Sequence, residues 1–200
     1  YLCAVDLGVD QVKIYKFNDE TGKITLVDML RCELESAPRI IKFSPDGRFA
    51  YLICELKNYI SVYTYKDGPR GPVFELVQTL STLNEYHSKG SAACVLRFSR
   101  DWNYVLCSNA GDNSVGIFKI DRETGMLEKI CILPVSGDYP KAADFFPDNR
   151  HIMALNHESN TMTIFRINYE KKYFSLWGKP LKVETPNCVL VSEIEEAPKQ

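Results

Sequence analysis

The sequence predicts an all-β protein with the architecture of a β-propeller, in which small antiparallel sheets surround a central channel. Three observations support this prediction. A unit of about fifty residues recurs along the chain of 200 residues. Each unit contains short segments rich in β-branched and aromatic residues, separated by turn residues. Between these segments the apolar spacing of an amphipathic helix is absent, and four such strands per unit are typical of a propeller blade.

The unit is clearest between residues 37 and 65. Its strands are predicted at Arg39–Phe43, Phe49–Cys54 and Ile60–Tyr65. The turn Ser44-Pro-Asp-Gly47 separates the first two strands, and Lys57-Asn58 separates the second from the third. The middle strand is apolar at nearly every position, so we expect both of its faces to be covered by other sheets.

The other units follow when the start of each middle strand is aligned. These starts are Tyr1, Tyr51, Tyr104 and His151. The next strand recurs as Val12–Tyr15, Ile60–Tyr63, Val115–Phe118 and Met162–Phe165. The hairpin signals Glu20-Thr-Gly22 and Glu123-Thr-Gly125 each precede a fourth strand, and the fourth strand itself is read at Phe74–Gln78 and Met126–Ile130.

The repeats predict a single partial propeller domain over residues 1–200. Its blades are expected at residues 1–35, 36–83, 90–135 and 138–183, with a closing strand at 186–192 that includes Asn187–Val191. About four blades cannot form a ring of ordinary size without leaving two open faces. We therefore expect a seven-bladed ring whose N-terminal blades are absent from this chain and act as its partner. A natural four-bladed ring is the alternative.

Composition argues against several functional classes. The net charge is −2, and 45% of residues are hydrophobic, which does not favour nucleic-acid binding. No apolar run is long enough to cross a membrane. Seven cysteines without a C-x-x-C pair predict reduced thiols in a cytoplasmic protein. The three histidines lack zinc-ligand spacing, so we expect neither a metal nor another cofactor.

Polar residues recur where the middle strands end. They are Asp6, Glu55, Asn109 and Asn156. In a propeller these corners would surround one mouth of the channel, where ligand-binding groups gather. Asp and Asn also end strands simply through local hydrogen bonds, whereas Glu55 has no such turn preference. Glu55 is therefore the strongest candidate among them.

Basic residues are expected at the same mouth. Arg39 follows Pro38 at the start of a strand, and Lys141 follows Pro140 in the same way. Both cations suit an anionic ligand. His157, beside Asn156, is either a proton carrier at the mouth or a solvated turn residue.

Together these residues resemble the propeller-type lactonases, the family of seven-bladed 6-phosphogluconolactonases and fungal carboxy-muconate lactonising enzymes. The resemblance rests on five motifs in family order: Val5–Asp10, Ala37–Arg39 with Phe43–Gly47 behind it, Cys54–Leu56, Ser108–Asn109 and Thr185–Cys188. It implies that Arg39 binds the anionic substrate, that Glu55 supplies the acidic group, and that Asp6 is the aspartate of the family's Asp-Leu-Gly motif. A family histidine is expected before residue 1.

Three positions depart from the family pattern. Ile40 stands where the family usually has histidine, Ala110 stands where it has arginine, and Lys141 replaces a later arginine. The change at Ala110 removes one expected contact to an anion. The resemblance still implies a lactone hydrolase acting on an anionic sugar lactone, with 6-phosphogluconolactone as the expected substrate.

Two other functions fit the residues. The first is a propeller that has lost catalysis and binds a ligand or partner, which the loss at Ala110 favours. The second is an isomerase that forms a lactone from a muconate-type diacid, which also requires arginines and is disfavoured by the same loss. For the lactone hydrolase, the predicted catalytic residues are Glu55 and Arg39, and the predicted substrate-binding residues are Asp6, Asn109, Lys141, Asn156 and His157.

Overall fold

The computed structural model describes residues 1–69, 71–87 and 89–192. Within these ranges the chain folds into four antiparallel sheets. The helical structure in the same ranges is one short 3-10 turn, Leu7–Val9. The prediction of an all-β propeller with about four blades is confirmed.

The first sheet, blade 1, contains β1 (Leu2–Asp6), β2 (Gln11–Phe17) and β3 (Ile24–Arg31). Blade 2 contains β4 (Pro38–Phe43), β5 (Phe49–Cys54), β6 (Tyr59–Gly68) and β7 (Gly71–Ser81). Blade 3 contains β8 (Ala93–Phe98), β9 (Tyr104–Asn109), β10 (Ser114–Ile120) and β11 (Leu127–Pro134). Blade 4 contains β12 (Pro140–Phe145), β13 (His151–Asn156), β14 (Thr161–Asn168), β15 (Tyr173–Leu176) and β16 (Leu181–Lys182).

The strands β4, β8 and β12 are the inner strands of their blades. Each lies at one edge of its own sheet, and β8 contacts both β4 and β12. Successive sheets of a propeller meet in this way around the channel. Blade 1 has the order β1-β2-β3 and begins with the strand equivalent to β5, so its sheet lacks an inner strand.

The hydrophobic core lies between successive blades. Between blades 2 and 3, Tyr51, Ile60 and Val62 pack against Leu96 and Phe118. Every residue of β5 is buried, as its continuous apolar sequence predicts. Further clusters join blade 1 to blade 2 and blade 3 to blade 4. This packing holds the inner strands in fixed relative positions, and it therefore positions the channel mouth.

Strand pairing corrects the alignment that the sequence suggested. The last residues of the equivalent strands are Asp6, Cys54, Asn109 and Asn156, each paired with the first residue of the next strand. Phe49, not Tyr51, is therefore the equivalent of Tyr104. Aromatic residues stand at both positions of β5, so an alignment on aromatic residues could not distinguish them.

The backbone hydrogen bonds also move the alignment of Glu55, by one position. The amide nitrogens of Glu55, Ala110 and His157 donate equivalent hydrogen bonds to the carbonyls of residues 37, 92 and 139. Glu55 is thus the counterpart of Ala110 and His157, and it was wrongly aligned with Asn109 and Asn156.

The predicted closing strand does not form a strand in this structure. The last strand described is β16, and residues 186–192 are not assigned to any sheet. A β-strand requires a hydrogen-bonded neighbour, and the predicted neighbour belongs to a blade outside this chain. Closure of a larger ring through residues 186–192 therefore stays a prediction.

Candidate active site at the channel mouth

The start of each inner strand carries a β-bulge that positions one side chain at the mouth. In blade 2, Pro38 pairs with Cys54 and Ile40 with Ile53, which leaves Arg39 as the extra residue. The same irregularity leaves Cys94 unpaired in β8 and Lys141 unpaired in β12. A bulge redirects the side chain of the extra residue. Arg39, Cys94 and Lys141 are consequently equivalent residues of three neighbouring blades.

Arg39 and Glu55 form an ion pair at this mouth. The Arg39 Nη1 donates to Glu55 Oε2. The Arg39 side chain is 41% exposed and the Glu55 side chain 20% exposed, so the carboxylate is the more enclosed partner. The structure thus brings these two predicted catalytic residues together on one rim and leaves them open to solvent.

Cys94 lies between the charged groups of the mouth. Burial raises the pKa of its thiol, Glu55 adds to this effect, and the positive charges of Arg39 and Lys141 oppose it. The Cys94 Sγ donates to the Ala92 carbonyl at 3.4 Å. Because residues of blades 2 and 4 both act on this thiol of blade 3, the charges of Arg39, Glu55 and Lys141 converge on one region.

Lys141 also contacts an aromatic ring of the mouth. Its Nζ lies 5.6 Å from the centroid of the Tyr139 ring, a distance at which a cation is attracted to the ring face. Among residues 1–69, 71–87 and 89–192, the Lys141 ammonium group has no carboxylate partner. Lys141 can therefore accept an anionic ligand without first breaking an ion pair.

Asp6 makes local interactions within blade 1. Its Oδ2 accepts a hydrogen bond from Lys13 Nζ at 2.8 Å. This bond lowers the pKa of the Asp6 carboxyl, with further contributions from the backbone amides of Gly8 and Val9. The carboxylate therefore shapes the turn after β1, and its predicted role in substrate binding stays a prediction.

Asn109 and Asn156 point into the protein. Both residues have no exposed surface. The Asn109 Nδ2 donates to the Thr82 carbonyl and to Ser114 Oγ, and the Asn156 Nδ2 donates to the hydroxyls of Thr161 and Thr163. This geometry supports a structural role, so the prediction that they bind substrate gains no support.

His157 occupies the corner equivalent to Glu55 and is partly exposed. Its Nδ1 lies 3.3 Å from the Pro186 carbonyl oxygen. Ala110, the third equivalent residue, is fully buried. A Cβ on the adjacent Gly111 would lie 2.6 Å from the Gly90 carbonyl oxygen, so residues 90–91 cover this corner. The blade 3 corner is therefore closed as well as uncharged.

Sequence reasoning missed a second set of charged residues, which we call the channel cluster: Lys42, Arg97 and Asp144. Each is the next-to-last residue of its inner strand. The Arg97 Nε lies 3.4 Å from Asp144 Oδ2. One signal was present, because each charged residue immediately precedes a phenylalanine that ends the strand.

A cleft of about 310 Å³ lies at the far end of the strands from this mouth. Its lining includes Asp46, Arg48, Trp102 and Arg122. Both of these arginines donate to backbone carbonyls of turns, Arg48 to Arg122 O and Arg122 to Asp101 O. The cleft is a seam between blades 2 and 3, and the charges described above are not part of it.

Among residues 1–69, 71–87 and 89–192, no group of three or more His, Cys, Asp or Glu side chains is placed to hold a metal ion. In the same part of the chain, no helix has the length and hydrophobicity needed to cross a membrane.

The chain belongs to the family described as "Lactonase, 7-bladed beta-propeller", whose model matches residues 1–191. Among its relatives is a 6-phosphogluconolactonase of Bacillus subtilis, 26% identical over 189 residues, or 94% of this chain and 53% of the relative. A Lactococcus lactis protein is 31% identical over 94% of this chain and 54% of the relative.

Solved structures agree with this assignment. The periplasmic gluconolactonase of Pseudomonas aeruginosa superposes with a TM-score of 0.84 and 25% identity, covering 93% of this chain and 52% of that protein. A Lactobacillus plantarum protein superposes with a TM-score of 0.81 and 27% identity, covering 92% and 52%. The chain thus spans about half the length of the relatives that it matches.

Proposed function

We propose that the channel mouth hydrolyses a sugar lactone. The observation that carries this proposal is the Arg39–Glu55 ion pair, which is open to solvent at the mouth of a propeller of the lactonase family. Hydrolysis of a cyclic ester needs an activated water and a group that stabilises negative charge on the carbonyl oxygen. A carboxylate beside a guanidinium supplies both.

In this mechanism Glu55 accepts a proton from the attacking water, and Arg39 stabilises the oxyanion that forms on the lactone carbonyl. When the ring opens, the proton held by Glu55 passes to the leaving alkoxide, so the carboxylate is regenerated. Lys141 contributes a second positive charge from the equivalent position of blade 4. The product is the open-chain sugar acid.

For the particular substrate, we propose 6-phosphogluconolactone. The name of the Bacillus subtilis relative supports this choice. The charges of the mouth support an anionic substrate too, because Arg39 and Lys141 outnumber Glu55. The free thiols of all seven cysteines suit the cytoplasm, although the Pseudomonas aeruginosa neighbour is described as periplasmic.

The test measures lactone hydrolysis by the purified protein and by the variants Glu55→Gln and Arg39→Ala. Loss of one oxyanion donor should lower kcat about a hundredfold or more, and loss of a general base by about 10² to 10⁴. Glu33→Gln is the matched control, because Glu33 forms an ion pair with Lys57 near the same corner but has no role in this mechanism. Unchanged hydrolysis in both site variants would refute the assignment.

One observation favours a second function, that of a ligand-binding module without catalysis. The blade 3 corner at Ala110 is closed and uncharged, so an anion contact expected from the family pattern is absent. For this function we expect no hydrolysis of several aldonolactones, combined with a higher Tm in the presence of a phosphosugar. Hydrolysis that depends on Glu55 would exclude it.

A further inference from the structure

The channel cluster lies deeper than the mouth, at a matching level of three blades. Lys42 of β4, Arg97 of β8 and Asp144 of β12 occupy the same position of their strands. Lys42 interacts electrostatically with both Arg97 and Asp144. Since blade 3 separates Lys42 from Asp144, such an interaction requires the side chains to turn toward the channel that the inner strands share.

The positive groups of the channel cluster are incompletely paired. Lys42 is half-buried and donates no hydrogen bond within the described residues, and burial together with the charge of Arg97 lowers the pKa of its ammonium group. Arg97, whose side chain is 25% exposed, faces Asp144 through Nε. A guanidinium has five N–H donors, so most of its donors remain available to another acceptor.

Such an arrangement is unfavourable without a ligand. An enclosed cation with unused donors costs free energy unless an acceptor reaches it. Asp144 compensates only part of the charge, because one carboxylate faces two cations. Burial also raises the pKa of the Asp144 carboxyl, against the influence of Arg97 and Lys42. The cluster therefore has a surplus of one positive charge and a surplus of hydrogen-bond donors.

We propose that Lys42 and Arg97 form an oxyanion site inside the channel that holds the phosphate group of a phosphorylated sugar lactone. This inference rests on the proposed function, since it names the part of the substrate that enters the channel while the ester remains at Arg39 and Glu55. Arg97 can hold two phosphate oxygens with its planar fork, and Lys42 acts as a point charge beside it. Asp144 keeps Arg97 oriented when no ligand is bound.

Position and charge both fit this substrate. Lys42 follows Arg39 by three residues on β4, which is about 10 Å along a strand at about 3.3 Å per residue. The long side chains of both residues shorten the gap between their charged groups.

A phosphate monoester carries about −1.5 to −2 charges at neutral pH. The mouth and the channel cluster each have a net charge of about +1 from two cations and one carboxylate, so together they match a dianion.

The first experiment measures binding without turnover. Isothermal titration of the purified protein with 6-phosphogluconate and with gluconate compares two ligands that differ only in the phosphate. We expect 6-phosphogluconate to bind at least tenfold more tightly, and we expect Lys42→Met and Arg97→Met to abolish most of that difference. Lys119→Met, which removes an exposed lysine of β10, is the control and should leave it unchanged.

A third variant tests the site with the opposite sign. Asp144→Asn removes the competing carboxylate and keeps the shape of the side chain, so it should tighten binding of 6-phosphogluconate several-fold while gluconate binding stays the same. This outcome cannot arise from a loss of folding. Equal binding of both ligands by the original protein, or weaker phosphate-dependent binding in Asp144→Asn, would overturn the proposal.

A kinetic arm separates the channel site from the proposed function. Lys42→Met should raise KM for the phosphorylated lactone at least tenfold more than it raises KM for glucono-1,5-lactone. If the original protein hydrolyses neither lactone, the proposed function fails, and the titrations above still decide whether the phosphate site exists. If the variant impairs both lactones equally, Lys42 does not recognise phosphate and the proposal is wrong.

Discussion

The buried asparagines at the strand corners show how one residue type can indicate either a binding site or a structural bond. Asn109 has no exposed surface, and its amide nitrogen bonds the carbonyl of Thr82 in the preceding blade at 2.8 Å and the hydroxyl of Ser114 at 3.0 Å. The first of these bonds fastens blade 3 to blade 2. Its loss would leave a buried carbonyl without a donor.

We therefore expect Asn109→Ala to lower the free energy of unfolding by about 1–3 kcal/mol and to leave KM unchanged. Urea denaturation and lactone kinetics measure the two effects. Asn18→Ala is the control, because Asn18 is exposed and its side-chain oxygen accepts one hydrogen bond, from the Thr21 amide, in a surface turn. A variant with normal stability and a raised KM would instead support the substrate-binding role that the sequence suggested.

At the same scale, the candidate site was only partly predictable. Arg39 and Glu55 were recognisable because an arginine after proline and a glutamate after an apolar strand are out of place in their local patterns. The channel cluster was not, because a single lysine at the end of a strand looks like an ordinary solvated residue. Its meaning depends on the equivalent positions of three blades, which only the strand register supplies.

Among the structural elements, the hairpins between the last two strands of blade 1 (β2 and β3) and of blade 3 (β10 and β11) allow a controlled comparison. Gly22 of blade 1 and Gly125 of blade 3 end equivalent turns with φ values of 68° and 73°. A Cβ on Gly22 would meet nothing within 4 Å, whereas a Cβ on Gly125 would lie 2.4 Å from the ring of Phe49 in blade 2. The Gly125 carbonyl also accepts a hydrogen bond from the Tyr51 hydroxyl at 3.0 Å.

Both Gly22→Ala and Gly125→Ala should suffer the strain of a left-handed backbone, about 1–2 kcal/mol. Gly125→Ala should lose about 1–3 kcal/mol more, because the added methyl group forces Phe49 out of a packed interface. Chemical denaturation of the two variants side by side isolates that difference. Equal losses would mean that the hairpin of blade 3 does not pack on blade 2 as described.

Element boundaries were predictable where turn chemistry marked them, and less so elsewhere. The strand Phe49–Cys54 was predicted with the bounds that the structure shows. The alignment of that strand with its neighbours was wrong, because aromatic residues at positions 49 and 51 fit the repeat equally well. In a β-strand a small register error changes which residues are equivalent; Glu55 was likewise aligned one position away from its counterpart Ala110.

For the molecule as a whole, four blades leave apolar surface uncovered at the first blade. Ile24, Leu26, Val27 and Met29 of β3 are all exposed, and β1 has an unpaired edge. Exposed sheet edges and apolar faces promote association. Such surface is what further blades of a seven-bladed ring would bury.

The other end of the chain shows where the ring would continue. A residue with positive φ lies immediately before β2 in blade 1 and before β10 in blade 3. Its side chain accepts a hydrogen bond from the amide just before the inner strand of the next blade: Asp10 from Ala37, and Asn113 from Tyr139. Asn160 accepts the same bond from the amide of Thr185. Thr185 and Pro186 therefore occupy the place where the inner strands of blades 2 and 4 begin.

By this equivalence, residues 187–191 should become the inner strand of a fifth blade once its neighbouring strand is supplied. Hydrogen exchange measured by mass spectrometry tests this on the present chain and on a longer chain in which further blades of the family fold are joined to Tyr1. By equivalence with Ile40 and Lys42, whose positions are the hydrogen-bonded ones in blade 2, the amides of Cys188 and Leu190 should exchange rapidly in the first chain and at least a hundredfold more slowly in the second, because pairing within a sheet protects them. The amides of β9, already central in their sheet, serve as the internal reference. Rapid exchange at these two amides in both chains would show that the ring closes elsewhere.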